Sequence, residues 1–143
     1  MNSESHISPS PQNFDPSLLI GEASIDREHG ELFSQLNRLI EQPHAQPESE
    51  AFLDILIRLG EQISAHFYSE EQIIRSCGMP DHEVDQHIRA HTEILEQYFE
   101  MNFALMKGNA PHRSEFLLMV RRWIVEHLVL HDLKLTAYLP ASN

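Results

Sequence analysis

The chain has 143 residues, 41% of them hydrophobic, and this length and composition suit one domain with a single buried core. Its formal net charge of −12 argues against nucleic acid or an anionic membrane as a partner. Because it has one cysteine, no basic-then-apolar leader and no apolar run long enough to span a membrane, we expect a cytoplasmic protein without an internal disulfide or membrane insertion.

Four long helices are predicted to follow a short polar segment. Residues 1–13 are rich in proline and serine and are predicted to form a disordered tail, and residues 14–143 to form one domain. The domain opens with a predicted extended arm, residues 14–24, that packs Phe14, Leu18, Leu19 and Ile20 on the helices. Beyond it, apolar residues recur at helical spacing, which predicts helices over about residues 26–41, 48–77, 81–107 and from 111–114 to 138.

Local signals mark the ends of these helices. Asp26 is the predicted N-cap of the first helix, and Asp81 can cap the third. Gly78 is placed to end the second helix, and Pro80 stops its continuation. The first two helices are predicted to bury Ile25, Leu32, Leu36, Leu39 and Ile40, and Leu53, Leu56, Ile57, Leu59, Ile63, Phe67 and Ile74. Short loops between long helices predict an all-α, antiparallel up-down-up-down four-helix bundle.

Histidines and carboxylates recur at helical spacing in all four predicted helices. They are His29, the pairs His66 with Glu70 and His87 with His91, and His127 with either His131 or Asp132. Residues four apart project from one helix face, so both members of a pair can reach one centre. Antiparallel packing places the starts of the first and third helices beside the ends of the second and fourth, which brings the whole set to one end of the bundle. Such a set can hold two iron ions and leave one coordination position open.

The partner of His127 is ambiguous from spacing alone. His131 follows it by four residues and lies in phase, whereas Asp132 follows by five and is out of phase by roughly 140° in a regular α-helix. If Asp132 is the ligand, we expect a π-type bulge or another distortion between Val129 and Asp132.

Four segments carry a resemblance to a known family. They are IDREHGELF around His29, HFYSEE with His66 and Glu70, HIRAH with His87 and His91, and WIVEHLVLHD with His127 and Asp132. In order, spacing and neighbouring residues the chain resembles the hemerythrin family, in particular its single-domain bacterial members, over about residues 25–139. The resemblance favours Asp132 over His131 as the seventh ligand.

The resemblance implies how two iron ions would be held. One iron would take His87, His91 and His127, the other would take His29 and His66, and Glu70, Asp132 and an oxo or hydroxo group would bridge them. The open position then falls on the two-histidine iron, where O2 would bind. Its surroundings are predicted to be an apolar O2 pocket of Leu32, Phe67, Ile94, Trp123, Ile124 and Leu128.

The function implied is reversible O2 binding, for storage, delivery or sensing, by a monomer or weak oligomer without catalytic residues. Its partner beyond O2 would be an oxygen-consuming enzyme or a signalling protein. Two alternatives use the same centre: a di-iron enzyme acting as peroxidase, oxidase or nitric-oxide handler, and an iron-storage or iron-sensing bundle. A ferritin-like site is disfavoured because the one Glu-x-x-His sequence, Glu41 to His44, contains Pro43.

Several further polar residues are expected to lie outside the centre. Glu71 is predicted to be solvated, because only Glu70 shares a helix face with His66. His131 is either a partner of the ligands or simply exposed. The remaining histidines, expected in solvent, are His6, His44, His82 and His112.

Overall fold

The computed structural model describes residues 16–41, 50–109 and 111–140, and this part of the chain is a bundle of four helices without a strand. The first three helices are α1 (Ala23–Ile40), α2 (Glu50–Ser76) and α3 (Asp81–Met106). The fourth helix joins α4 (Arg113–Arg121), a π-helical turn (Arg122–Glu126) and α5 (His127–Leu130). Short 3-10 segments lie at Pro16–Leu18 and Asp132–Ala137. The predicted all-α four-helix bundle is confirmed, while the predicted tail and Phe14 lie outside the described residues.

Side-chain contacts fix the antiparallel arrangement of the first and fourth helices. At the start of α4, Arg113 Nη2 donates hydrogen bonds to the carbonyl oxygens of Leu39 and Ile40, at 2.9 and 3.0 Å, which are among the last carbonyls of α1. At the opposite end of the bundle, His29 near the start of α1 lies beside Asp132, just beyond α5. None of the described helices is both long and apolar enough to cross a membrane.

The start of α1 differs from the prediction that Asp26 caps it. The helix begins three residues earlier, and the N-cap is Glu22, whose Oε1 accepts a hydrogen bond from the Ile25 amide at 3.0 Å. Asp26 is buried inside the first turn and accepts hydrogen bonds from the amides of Ile20 and Gly21, at 2.9 and 3.2 Å. The earlier start sets His29 nearly two turns into the helix, level with the other histidines.

Three residues predicted to pack on the core are instead exposed. Leu19 in the arm is 38% exposed, Ile40 at the end of α1 is 48% exposed, and Ile57 in α2 is 54% exposed. Ile57 directly follows the buried Leu56, so it is rotated by about 100° away from the buried face of a regular helix. Leu18 is half-buried and Ile20 is buried, so the arm covers the bundle through alternate residues.

Tyr98 crosses unusually close to α2 at a glycine. Its hydroxyl donates to the Leu56 carbonyl at 3.0 Å, and a Cβ built on Gly60 would collide with the Tyr98 ring. Gly60 is therefore required by close packing, not by its backbone angles. Gly78, with φ of 92°, ends α2 as predicted, because this left-handed conformation favours glycine.

Two apolar clusters fill the bundle, and every helix carries at least one of the histidines and carboxylates between them, although His66 itself lies within the larger cluster's stretch of α2. The larger cluster includes Leu32, Phe67, Ile94, Trp123 and Ile124, and the smaller includes Ile20, Ile25, Ile74, Met79 and Leu135. In α1, for example, His29 lies between Ile25 of the smaller cluster and Leu32 of the larger. The polar centre is thus closed by apolar packing on both sides along the bundle axis.

Candidate metal centre

The structure brings five imidazoles and two carboxylates together inside the bundle. Each of the four helices, or the turn directly after the fourth, contributes at least one of them, and none is more than 5% exposed: His29, His66, Glu70, His87, His91, His127 and Asp132. Carboxylates are almost never buried to this degree unless they are paired or bind a metal. The cluster is therefore the strongest candidate for a functional site in the described part of the chain.

The seven residues form two overlapping groups with metal-ligand geometry. Within each group, one ligand atom per residue lies within 4.8 Å of all the others. One group consists of Glu70, His87, His91, His127 and Asp132, and the other of His29, His66, Glu70 and Asp132. Both carboxylates belong to both groups, whereas the histidines divide three against two. His131 belongs to neither group.

Asp132 reaches the centre because the fourth helix ends before it. The α-helix stops at Leu130, His131 has φ of −123° and ψ of −52°, and Asp132 begins a 3-10 turn. Because of this break, Asp132 does not point in the direction that a continuous α-helix would give it, and its Oδ1 lies 3.1 Å from His127 Nε2. The expected distortion is present, but the π-type bulge is not where we predicted it, because the π-helical turn Arg122–Glu126 precedes His127.

Buried polar atoms without a hydrogen bond mark the space between the ligands. Nε2 of His29, His66 and His127, and Oε2 of Glu70, have no hydrogen-bond partner. Yet His29 Nε2 is 2.9 Å from Asp132 Oδ2, and His66 Nε2 is 3.5 Å from Glu70 Oε2. Short N···O distances without hydrogen-bond geometry are expected where both atoms face a shared cation. The donor set therefore fits metal ions, and borderline divalent metals suit its mixture of imidazole and carboxylate.

Two further carboxylates contact Nδ1 of two of these histidines, on the side of the ring away from the centre. Glu28 Oε1 lies 2.7 Å from His66 Nδ1, and Glu71 Oε2 lies 2.9 Å from His91 Nδ1. Because an ionised carboxylate only accepts, each Nδ1 carries the proton, which leaves the Nε2 lone pair facing the centre. Glu28 was missed from the sequence, and the prediction that Glu71 is solvated was wrong. Both contacts join different helices, so no spacing within one helix could reveal them.

While metal is absent, the electrostatics of the cluster favour charged Glu70 and Asp132 and raise the pKa of three of the histidines, His29, His87 and His127, whereas burial lowers the pKa of His91. Burial alone would lower the pKa of His29 and His127, but the nearby negative charges of the Asp132 and Glu70 carboxylates raise both to about 9. Burial would raise the pKa of Glu70, but the surrounding imidazoles hold it well below its usual value. Burial and repulsion from Glu70 would raise the pKa of Asp132, but contacts with His127 and His29 hold it below its usual value. Metal binding at neutral pH must then displace protons from histidine.

The six residues of the predicted apolar pocket are all buried. They are Leu32, Phe67, Ile94, Trp123, Ile124 and Leu128. The Phe67 ring stacks on the His91 ring, with centroids 3.8 Å apart and planes inclined by 10°. Trp123 Nε1 donates to Gln97 Oε1 at 2.8 Å, so the one polar atom among the six side chains is directed to another residue.

His131 takes an intermediate position among the remaining histidines. It is half-buried, and its ring centroid lies 5.1 Å from that of His127 and 5.5 Å from that of His87. Burial and repulsion from those two histidines lower the pKa of His131 to about 4, so it is neutral near pH 7. His82 and His112 are exposed as predicted, whereas His6 and His44 lie outside the described residues.

Comparison with known proteins agrees with this geometry. Residues 21–139 match the family model described as the hemerythrin HHE cation binding domain. Over 127 residues the chain is 28% identical to myohemerythrin of Theromyzon tessulatum, covering 88% of this chain and 92% of that protein. No solved structure matches the chain. With a family match over most of its length, and a buried cluster of histidines and carboxylates that could hold metal, the chain belongs to the hemerythrin family.

Proposed function

We propose that this protein holds two iron ions and binds O2 reversibly at the iron served by two histidines. The single observation that carries the proposal is the pair of overlapping ligand groups, three histidines against two, that share Glu70 and Asp132. Membership of the hemerythrin family and similarity to a myohemerythrin support the same reading.

His87, His91 and His127 would hold one iron, and His29 and His66 the other, with Glu70 and Asp132 bridging the two. Iron bound in this way would supply the reversible redox chemistry that O2 binding requires. A shared oxo or hydroxo group would complete the bridge. Because one iron would be held by one histidine fewer while both would share the same carboxylates, its open coordination position would lie on the side of His29 and His66.

The surrounding packing favours binding of a small apolar ligand. Apolar side chains on every helix, including Leu32, Phe67 and Ile124, exclude water from the cluster and lower the local dielectric. The Trp123 indole N–H is already bonded to Gln97, so it offers no free proton donor to a ligand. This apolar environment favours reversible binding of O2 over a reaction that consumes it. It therefore favours an O2-binding protein over an enzyme.

Reversible binding suits storage, delivery or sensing of O2. Delivery would require an oxygen-consuming enzyme as partner, and sensing a separate signalling protein. A storage role needs neither of these.

A spectroscopic cycle tests the proposal. Protein loaded with two ferrous ions per chain should develop a visible absorption band in air, lose it under argon, and repeat the cycle without loss of iron. Irreversible oxidation on the first exposure would overturn the proposal in favour of an oxidase or peroxidase. Failure to hold two irons would also overturn it. His66→Ala should abolish the band, whereas His131→Ala should retain it, since His131 belongs to neither ligand group.

A further inference from the structure

Two acids outside the ligand cluster are arranged as a matched pair, one behind each ligand group. Glu28 in α1 contacts Nδ1 of His66 in α2, and Glu71 in α2 contacts Nδ1 of His91 in α3. His66 belongs to the two-histidine group and His91 to the three-histidine group. Each candidate metal therefore has one histidine backed by a carboxylate from a neighbouring helix.

These contacts are not ordinary surface ion pairs. The Glu28 and Glu71 side chains are only 20% and 26% exposed, and each imidazole is 3% exposed or less. Partial burial makes such a contact stronger than one in open solvent, where pairs of this kind contribute little. By contrast, Nδ1 of His29 and of His127 are buried without a hydrogen-bond partner. The support is thus selective: it reaches His66 but not His29, and His91 but not His127.

We propose that Glu28 and Glu71 are positioning residues that act separately on the two metals and bias both of them toward the more highly charged oxidation state. This inference rests on the proposed di-iron centre but not on its binding of O2. Each carboxylate fixes its histidine in the Nδ1-protonated form and so presents Nε2 to the metal. Each also places a negative charge behind that ligand, which stabilises ferric iron more than ferrous iron.

The hydrogen bond and the charge can be separated by substitution. Glutamine keeps an oxygen that can accept from Nδ1 but removes the charge, whereas alanine removes both. Glu28→Gln and Glu71→Gln should therefore retain two irons per chain and raise the midpoint potential. Glu28→Ala and Glu71→Ala should in addition weaken iron binding by roughly 10–100-fold, the usual consequence of losing a partner of a metal-bound histidine.

Two exposed acids provide matched controls for charge. Glu31→Gln in α1 and Glu61→Gln in α2 remove the same charge from the same helices without touching a ligand histidine. A tenfold change in the ferric-to-ferrous affinity ratio corresponds to about 59 mV in the potential of a one-electron couple. We expect each Glu28→Gln and Glu71→Gln shift to exceed that of its control by about this amount or more.

A double-mutant cycle tests whether each acid acts through its own histidine. Ferrous iron affinity is measured by chelator competition in the full chain. In a His66→Ala background, Glu28→Ala should cause no further loss, while Glu71→Ala should still weaken the remaining iron. If both glutamate variants match their controls in potential and affinity while the wild type binds two irons, this inference is overturned and the di-iron proposal stands. If the wild type itself fails to bind two irons, both are overturned.

Discussion

Asp132 Oδ2 lies 2.9 Å from His29 Nε2, although the two residues belong to the first and last helical segments of the bundle. Asp132 is also 2.8 Å from His87 and 3.1 Å from His127, so it contacts histidines of both ligand groups. It can do so because the chain leaves the α-helix at Leu130 and turns inward. Asp132 thus connects the end of the bundle to the candidate metal centre.

Substitution of Asp132 separates its role from that of His131. Asp132→Ala removes one of the two carboxylates shared by both ligand groups and leaves Glu70 alone as the counter-charge to the nearby histidines. We expect loss of both irons, measured as the iron content of purified protein after dialysis against a weak chelator. His131→Ala, the matched neighbour, should retain two irons per chain. Equal iron contents in the two variants would contradict the choice of Asp132 over His131 as a ligand.

Removal of metal should reverse the pH dependence of stability. In the metal-free protein the pKa values of His29 and His127 are about 9, above their ordinary value of 6.5. Their contribution is fully present below pH 6.5 and is lost as the pH rises through about 9, so Tm should fall over that range. The iron-loaded protein should instead lose stability as the pH falls, because protons compete with iron for histidine.

Thermal unfolding of chelator-treated and iron-loaded samples at pH 6.5, 7.5 and 9 measures how Tm changes with pH in each form. A metal-free protein whose Tm rises toward pH 9 would show that the two histidines are not protonated in the cluster. An iron-loaded protein whose Tm falls in parallel with that of the metal-free protein would show that iron does not displace those protons.

Gly60→Ala should destabilise the bundle through the Tyr98 ring. The added methyl group collides with that ring, and overpacking of this kind costs about 1–3 kcal/mol, partly offset by the roughly 1 kcal/mol helix preference of alanine over glycine. Urea unfolding measures the change. The control is the same substitution in a Tyr98→Ala background, where the clash is absent and Gly60→Ala should be neutral or stabilising. The same loss in both backgrounds would place its cause elsewhere.

Asp26→Ala tests how the arm before α1 is held. It removes the carboxylate that accepts from the amides of Ile20 and Gly21, and loss of the acceptor for the buried Ile20 amide should cost about 1–3 kcal/mol. Asp26→Asn should cost less, because its one amide oxygen can still accept. Chemical denaturation of both variants measures how much stability each loses, with the exposed Asp85→Ala as the control. A loss no greater than that of Asp85→Ala would indicate that the arm contributes little to stability.

Much of the ligand cluster was predictable because it obeys helix periodicity. His66 and Glu70, and likewise His87 and His91, lie within regular helices, so four-residue spacing correctly places both members of each pair on one face. Asp132 was not predictable in this way, because the helix ends between it and His127. Resemblance to the family, not spacing, favoured it over His131.

Features that depend on contacts between helices lay beyond sequence patterns. The contacts of Glu28 with His66 and of Glu71 with His91 depend on how neighbouring helices face each other. Aspartate is a residue type typical of N-caps, yet the Asp26 carboxylate accepts hydrogen bonds from backbone amides of the arm instead of from the first turn of the helix. Glu22 takes the capping role instead, so tertiary contacts moved the start of the helix.

Two irons that bind O2 and release it unchanged would show a fixed stoichiometry of O2 uptake and return. Both quantities can be measured in protein of known iron content. Fully reduced protein with two irons per chain should take up one O2 per iron pair and return it quantitatively under argon, with the irons again ferrous. Uptake without return would show that O2 is consumed, and full uptake by protein holding one iron per chain would show that O2 binding does not require an iron pair.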